Sequence, residues 1–331
     1  MRAESINHFF NGLPFVVLLA VILALTAAMA AFWGNGPLNA GGGGLCFTSV
    51  QLHIADKYLS LGINLAAILL SGILLYFLNK TYTFIRAYTL IHVSTFFLLE
   101  AANPYLTASL LDGSFLCIIL LGASFILFNT YNMPRPQRSI FLTFTLLALG
   151  SMFQYMCLYL IPVFFLGFVQ MRALSLKGFL AMGVGLITPF WILLGCGIVA
   201  PTDLALPAIH NVWDYLNSLQ SLTMLPAVVL PAAILIVLTS INMFQIYGYK
   251  AQIRAYNGFF SVLTIATLII MAIDYGNILN YMPVLNCCLA VQIAHAFTIN
   301  KLPKRFIVHL LLIAACAAMY SLQFFSINIE Q

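Results

Sequence analysis

Charge is what this chain has least of. Its 331 residues include 13 Lys and Arg and 8 Asp and Glu, 6% in all, against about 25% in an ordinary soluble domain. Hydrophobic residues make up 63%, and the mean hydropathy is +1.04. A soluble core of this composition would have too little polar surface to cover it. The same balance excludes disorder, and the cysteine count speaks against a disulfide scaffold: seven is odd, and six of them (all but Cys46) fall in apolar segments. Basic residues are few and scattered, so the net charge of +5 offers nucleic acid no footprint. Signature motifs are missing too: there is no HExxH, no pair of CxxC and no GxSxG.

What the chain does have is apolar length. A bilayer core of ~30 Å takes about 20 apolar residues per helix. Segments of this kind cover 13–33, 58–78, 85–102, 113–129, 178–200, 222–247, 257–273, 282–299 and 306–324. The stretch 139–171 is too long for one ordinary span, and Gly150-Ser151 divides it into two short helices, 139–152 and 154–171. The expected architecture is therefore an all-α polytopic transmembrane bundle of about eleven spans. It forms a single integral membrane domain over 1–331, with long connections only at 34–57 and 201–221. Ala28-Met29-Ala30 looks like a signal cleavage site, but the apolar run before it exceeds the usual ~7–15 residues and reads better as an uncleaved anchor.

The few charges orient this bundle. With the N-terminus inside, 12 of the 13 Lys and Arg lie in inner loops and only Lys57 lies outside. Seven of the eight acids (Asp56, Glu100, Asp112, Asp203, Asp214, Asp274 and Glu330) lie outside. Eleven spans preserve that sorting and place the C-terminus out, whereas one helix over 139–171 would scramble it. The two long connections are then both outer.

Each outer connection carries an amphipathic pattern. Phe47, Val50, Ile54 and Tyr58 make one apolar stripe; Ile209, Val212, Trp213, Leu216 and Leu219 make another. Both read as helices in the outer membrane interface. His53 and Asp56 are three apart on the first, and His210 and Asp214 four apart on the second, so each pair shares a face. A carboxylate beside an imidazole serves as a general base or as a ligand for a divalent metal. Upstream, Gly41 to Gly44 reads as a flexible strap, because Leu45-Cys46 stands where a phosphate loop needs Lys and Ser or Thr.

Ionisable groups within spans are the other candidates. Glu100 sits at or just inside the outer end of its span, before Asn103-Pro104; His92 lies about two turns deeper, and both it and Asn103 are candidate cavity-lining residues. His295 and His309 fall nearer the inner side, and no Asp, Lys or Arg falls in mid-span.

The segment from about Phe96 to Leu194 resembles an uncharacterised family of polytopic inner-membrane proteins of the Bacteroidota. The likeness rests on Glu100 with Asn103-Pro104, on Gly150-Ser151-Met152-Phe153 and on Ile187-Thr188-Pro189-Phe190. It implies the bacterial inner membrane and brings no activity. In architecture the chain is also similar to GT-C membrane glycosyltransferases, with many spans and a long first outer loop holding an acid. That likeness implies a polyprenyl-phosphate sugar donor, with Asp56 as catalytic base and His53 as its partner. Glu100, Asp203, His210 and Asp214 would then hold acceptor or metal. Three readings stay open: such an enzyme, a transporter or flippase of a neutral or lipid substrate, and a non-catalytic membrane subunit.

Overall fold

The computed structural model describes residues 9–33, 42–54, 56–87, 89–205, 219–299 and 305–329. Among these residues the molecule is helical, with β-pairing limited to isolated bridges at Gly43. Its main helices are α1 (Leu13–Trp33), α2 (Lys57–Tyr82), α3 (Ile91–Ala101), α4 (Asp112–Phe128), α5 (Gln137–Phe153) and α6 (Ile161–Gln170). They continue as α7 (Leu176–Gly195), α8 (Leu219–Ile246), α9 (Ala251–Ile273), α10 (Ile278–Ile299) and α11 (Arg305–Ile329). Each falls on one of the apolar segments of the sequence. The division of 139–171 is present: α5 ends at Phe153, a single turn covers Met156–Tyr159, and α6 comes next with Pro162 in its first turn.

Length separates these helices into two kinds. Seven (α1, α2 and α7 to α11) are long and apolar enough to cross a membrane. The others, α3 to α6, have 11, 17, 17 and 10 residues. At 1.5 Å per residue even the 17-residue helices reach only about 26 Å. Apolar runs alone do not distinguish a helix that faces lipid from one enclosed by protein. All eleven residues of α3 are buried, and short helices at depth are tolerated where protein surrounds them.

The centre of the bundle is α3 packed against α10. Every residue from Asn277 to His295 is buried. Helices α1, α2 and α4 pack on this pair, α8 and α9 pack on α10, and α11 packs on α8 and α3. The approach of α4 is as close as backbone allows: a Cβ on Gly113 would lie 2.3 Å from the Asn280 carbonyl oxygen. Only a residue without a side chain fits there.

One helix, α7, stands at the edge. Three of its 20 residues are buried, Gly178, Gly185 and Pro189. The two glycines face α5, where Gly185 meets the Phe141 backbone and the Thr145 hydroxyl donates to the Gly185 carbonyl at 3.2 Å. Small residues let two membrane helices approach in this way. Much of the rest of α7, including Leu180, Val184, Ile187 and Trp191, is apolar and exposed.

The connection between α1 and α2 differs from the expected interfacial helix. From Gly42 the strap is docked on the end of α5: Leu45 N–H donates to the Ser151 carbonyl at 2.9 Å and Phe47 N–H to the Met152 carbonyl at 3.0 Å. These bonds take up carbonyls that the end of a helix leaves unpaired. Phe47 then stacks on Phe153, with ring centroids 4.8 Å apart. A 3-10 turn, Val50–His53, comes after the strap, and α2 begins only at Lys57. The periodic stripe through Phe47 to Tyr58 therefore spans a docked strap, a turn and a helix start. The expected second interfacial helix, with His210 and Asp214, lies outside the described residues.

Candidate functional site

Asp56 is committed to local structure. Its backbone is extended (φ −75°, ψ 116°), and its carboxylate accepts the Tyr58 N–H at 2.9 Å as the N-cap of α2. An Asp before an apolar run is a helix-start signal. His53 ends the preceding 3-10 turn, where its Nδ1 lies 3.1 Å from the Ser49 carbonyl oxygen. The two residues thus lie on separate elements and not on one helical face. Asp203 closes a short 3-10 turn, Pro201–Asp203, and the chain beyond it touches the strap where Ala205 N–H donates to the Leu45 carbonyl at 3.0 Å. Cys46, in that strap, is no activated nucleophile, since burial pushes its thiol above the ordinary value.

The polar chemistry is gathered instead around the first half of α10. Glu100 at the end of α3 is fully buried, and its Oε1 accepts the Asn286 amide at 3.1 Å. Its Oε2 has no hydrogen-bond partner among the described residues. Asn103 caps the turn Pro104–Thr107 through the Tyr105 N–H at 3.0 Å, and its amide points at Met282 Sδ, 3.5 Å away. At the start of α4, Asp112 accepts the Val50 N–H at 3.0 Å, and the neighbouring Gly113 N–H donates to Asn280 Oδ1 at 3.3 Å. Asn64 of α2 accepts from the Ser114 hydroxyl at 2.7 Å.

Asp274 completes this layer. It lies just beyond α9, is 2% exposed, and accepts both the Asn277 amide at 2.9 Å and the Tyr281 hydroxyl. Among the described residues three acids, Glu100, Asp112 and Asp274, are therefore buried at one end of the bundle, and side chains on or just before α10 reach each of these regions. The sequence pointed to Glu100 but passed over Asp274 as a loop acid, and passed over Asn277, Asn280 and Asn286 altogether. Their spacing of three and six residues, running from the turn before α10 into that helix, was the available signal.

A second, sparser layer lies deeper. His92 is eight residues before Glu100 on α3, about 12 Å along the axis. It is fully buried, and neither ring nitrogen has a hydrogen-bond partner among the described residues. His295, nine residues after Asn286 on α10, is buried within electrostatic reach of His92. Helices α3 and α10 run antiparallel, so the two separations match. Glu100 with Asn286 forms one rung, and His92 with His295 forms the next. Beyond the second rung comes Arg86, which acts electrostatically on His295, and the bundle ends there.

Chemically this is a series of proton-binding groups enclosed by protein, with amides as neutral partners. Among the described residues no three His, Cys, Asp or Glu side chains stand together as ligands for an ion. His92 and Asn103, the candidate cavity-lining residues, are both buried in the interior. The fold and these contacts describe a helical membrane protein. No family model, no curated protein and no solved structure matches this chain.

Proposed function

We propose that this protein is a proton-linked membrane transporter in which Glu100 is the protonation site. One observation carries the reading: Glu100 is fully buried on the central helix pair with one carboxylate oxygen unpartnered, one rung from His92 and His295. A charge enclosed in this way is costly, and such groups mark ion and proton pathways. A proton or a cationic substrate removes that cost. The two histidines extend the path toward the basic end of the bundle, and Asn286 keeps the carboxyl oriented in either protonation state because an amide both donates and accepts.

On this reading the location is the bacterial inner membrane, with the basic end cytoplasmic, as the sorting of Lys and Arg and the likeness to the Bacteroidota family imply. Membrane lipid is its surrounding partner. A glycosyl-transfer enzyme using a polyprenyl-phosphate donor draws less support, because Asp56 would have to leave its capping role to act as base.

Two measurements test the proposal together. In proteoliposomes carrying a pH-sensitive dye, an imposed gradient drives proton flux through the wild type, and Glu100→Gln abolishes it. Dicyclohexylcarbodiimide, which reacts with protonated carboxyls in apolar sites, labels Glu100, and labelling falls as pH rises. Flux in Glu100→Gln equal to the wild type, or absence of both flux and labelling, rejects the reading.

A further inference from the structure

The end of the bundle where α9 begins holds a cavity of about 430 Å³ that the proton path does not use. Thr83, Arg86, Tyr249, Lys250 and Ile253 line it. Two of these side chains are cations, and no acid is among the lining residues.

Arg86 is set in place by a rigid turn. Its φ is +64°, in the left-handed region that a side chain disfavours. Three helices hold that conformation. Asn79 of α2 accepts the Ile85 N–H and donates to the Ala87 carbonyl, each at 3.1 Å. Asn257 of α9 donates to the Phe84 carbonyl at 3.0 Å, and Thr298 of α10 donates to the Ile85 carbonyl at 3.4 Å. Backbone strain held from several sides is a mark of functional positions. The guanidinium lies on the Tyr249 ring, 4.4 Å from its centroid. Stacking occupies its face and leaves its donor edge available. Lys250 is the N-cap of the 23-residue α9, so first-turn N–H groups that lack helical acceptors open at the same place.

We propose that this cavity binds a phosphate group. A flat guanidinium, an ammonium and a helix N-terminus converging without a carboxylate match the charge and the acceptor oxygens of phosphate. Such a group is supplied either by the headgroup of an anionic lipid or by a free phosphate-bearing solute. The site stands independently of proton transport, since binding alone is measured.

The test uses the purified full chain in detergent. Native mass spectrometry tracks retention of phosphatidylglycerol, with zwitterionic phosphatidylcholine as reference, and equilibrium dialysis tracks radiolabelled inorganic phosphate. Arg86→Gly is the informative variant, because glycine takes the left-handed backbone freely and only the guanidinium is lost. It and Lys250→Ala each weaken binding about fivefold, and the two together about 25-fold, as expected for one interfacial charge apiece. Lys177→Ala, on exposed α7, changes nothing. Retention of phosphatidylglycerol alone assigns a lipid headgroup; binding of inorganic phosphate with the same variant pattern assigns a solute. Binding of neither probe, equal retention of phosphatidylcholine, or a folded double variant that binds like the wild type overturns the proposal.

Discussion

Helices α10 and α7 are nearly the same length and are built on opposite principles. The stretch around α10, Tyr275–Thr298, has the lowest mean hydropathy of the seven long helices, 1.3, and its most apolar part is wholly buried. For α7 the values are 1.8 and 17%. In water the more polar helix would be the exposed one. Here the order is reversed, because lipid outside is as apolar as leucine and the polar groups find partners only inside. α10 is therefore where buried polar groups gather: it carries Asn280, Tyr281, Asn286 and His295. α7 is an outer stave that gives the bundle apolar perimeter.

The sharpest way to break this contrast is to add the same methyl group to each region. In Gly113→Ala the new Cβ lies 2.3 Å from the Asn280 carbonyl oxygen, and both sides of that contact are backbone. The helices must part, at a cost of about 3 kcal/mol or more. In Gly183→Ala on α7 the Cβ meets nothing within 4 Å, and the better helix former is neutral to stabilising by up to about 1 kcal/mol. A thiol-reactive fluorogenic dye during heating reports the difference, because Cys117, Cys157, Cys287, Cys288 and Cys316 are buried until the bundle opens. Equal melting of the two variants would remove the distinction between the regions.

Deleting a polar group gives the next largest effect. Asn286→Leu strips Glu100 of its amide and leaves a buried carboxyl with no partner, which costs about 1–3 kcal/mol. Thr188→Val on α7 removes a hydroxyl that only backs onto the Val184 carbonyl of its own helix, at 2.6 Å. It shifts stability by no more than about 0.5 kcal/mol. The same dye melt measures both, and Asn286→Leu alone also alters proton flux.

Asp274→Asn falls slightly below that. The amide still bonds Asn277 and Tyr281 in part, but the charge-assisted character of two hydrogen bonds is lost, at about 1–2 kcal/mol. Retained stability in this variant with loss of transport would move the functional centre from Glu100 toward Asp274.

The positions of the eleven helices were legible because apolar runs report a membrane-buried segment directly. Their depth was not. Both 91–101 and 13–33 fall in apolar segments, yet every residue of α3 is buried and α1 exposes Leu13, Val17 and Leu25. Glu100 stood out as an ionisable group at the end of an apolar segment, and Asp274 was read as a loop acid. The sequence could not show that Asp274 is buried, since that depends on Asn277 and Tyr281 closing over it. The asparagines of α10 carry no charge and so left no trace in the sorting of charges. His53 with Asp56 misled for a related reason. Spacing of three residues implies a shared face only inside a helix, and a cap residue is by definition outside one.

Asp56 gives the smallest effect and the clearest separation of roles. Asp56→Ala removes the acceptor for the Tyr58 N–H and costs about 1 kcal/mol, whereas Asp56→Asn keeps a capping oxygen and costs almost nothing. Were Asp56 a general base, the order would invert for function: Asn cannot accept a proton, so Asp56→Asn would be dead though fully stable. The pair of variants therefore sets capping against catalysis at one position, read by the thiol melt and by the activity of the wild type. An Asp56→Asn protein that moves protons like the wild type leaves this carboxylate its structural task, the start of α2, and leaves the chemistry with the buried acids around α10.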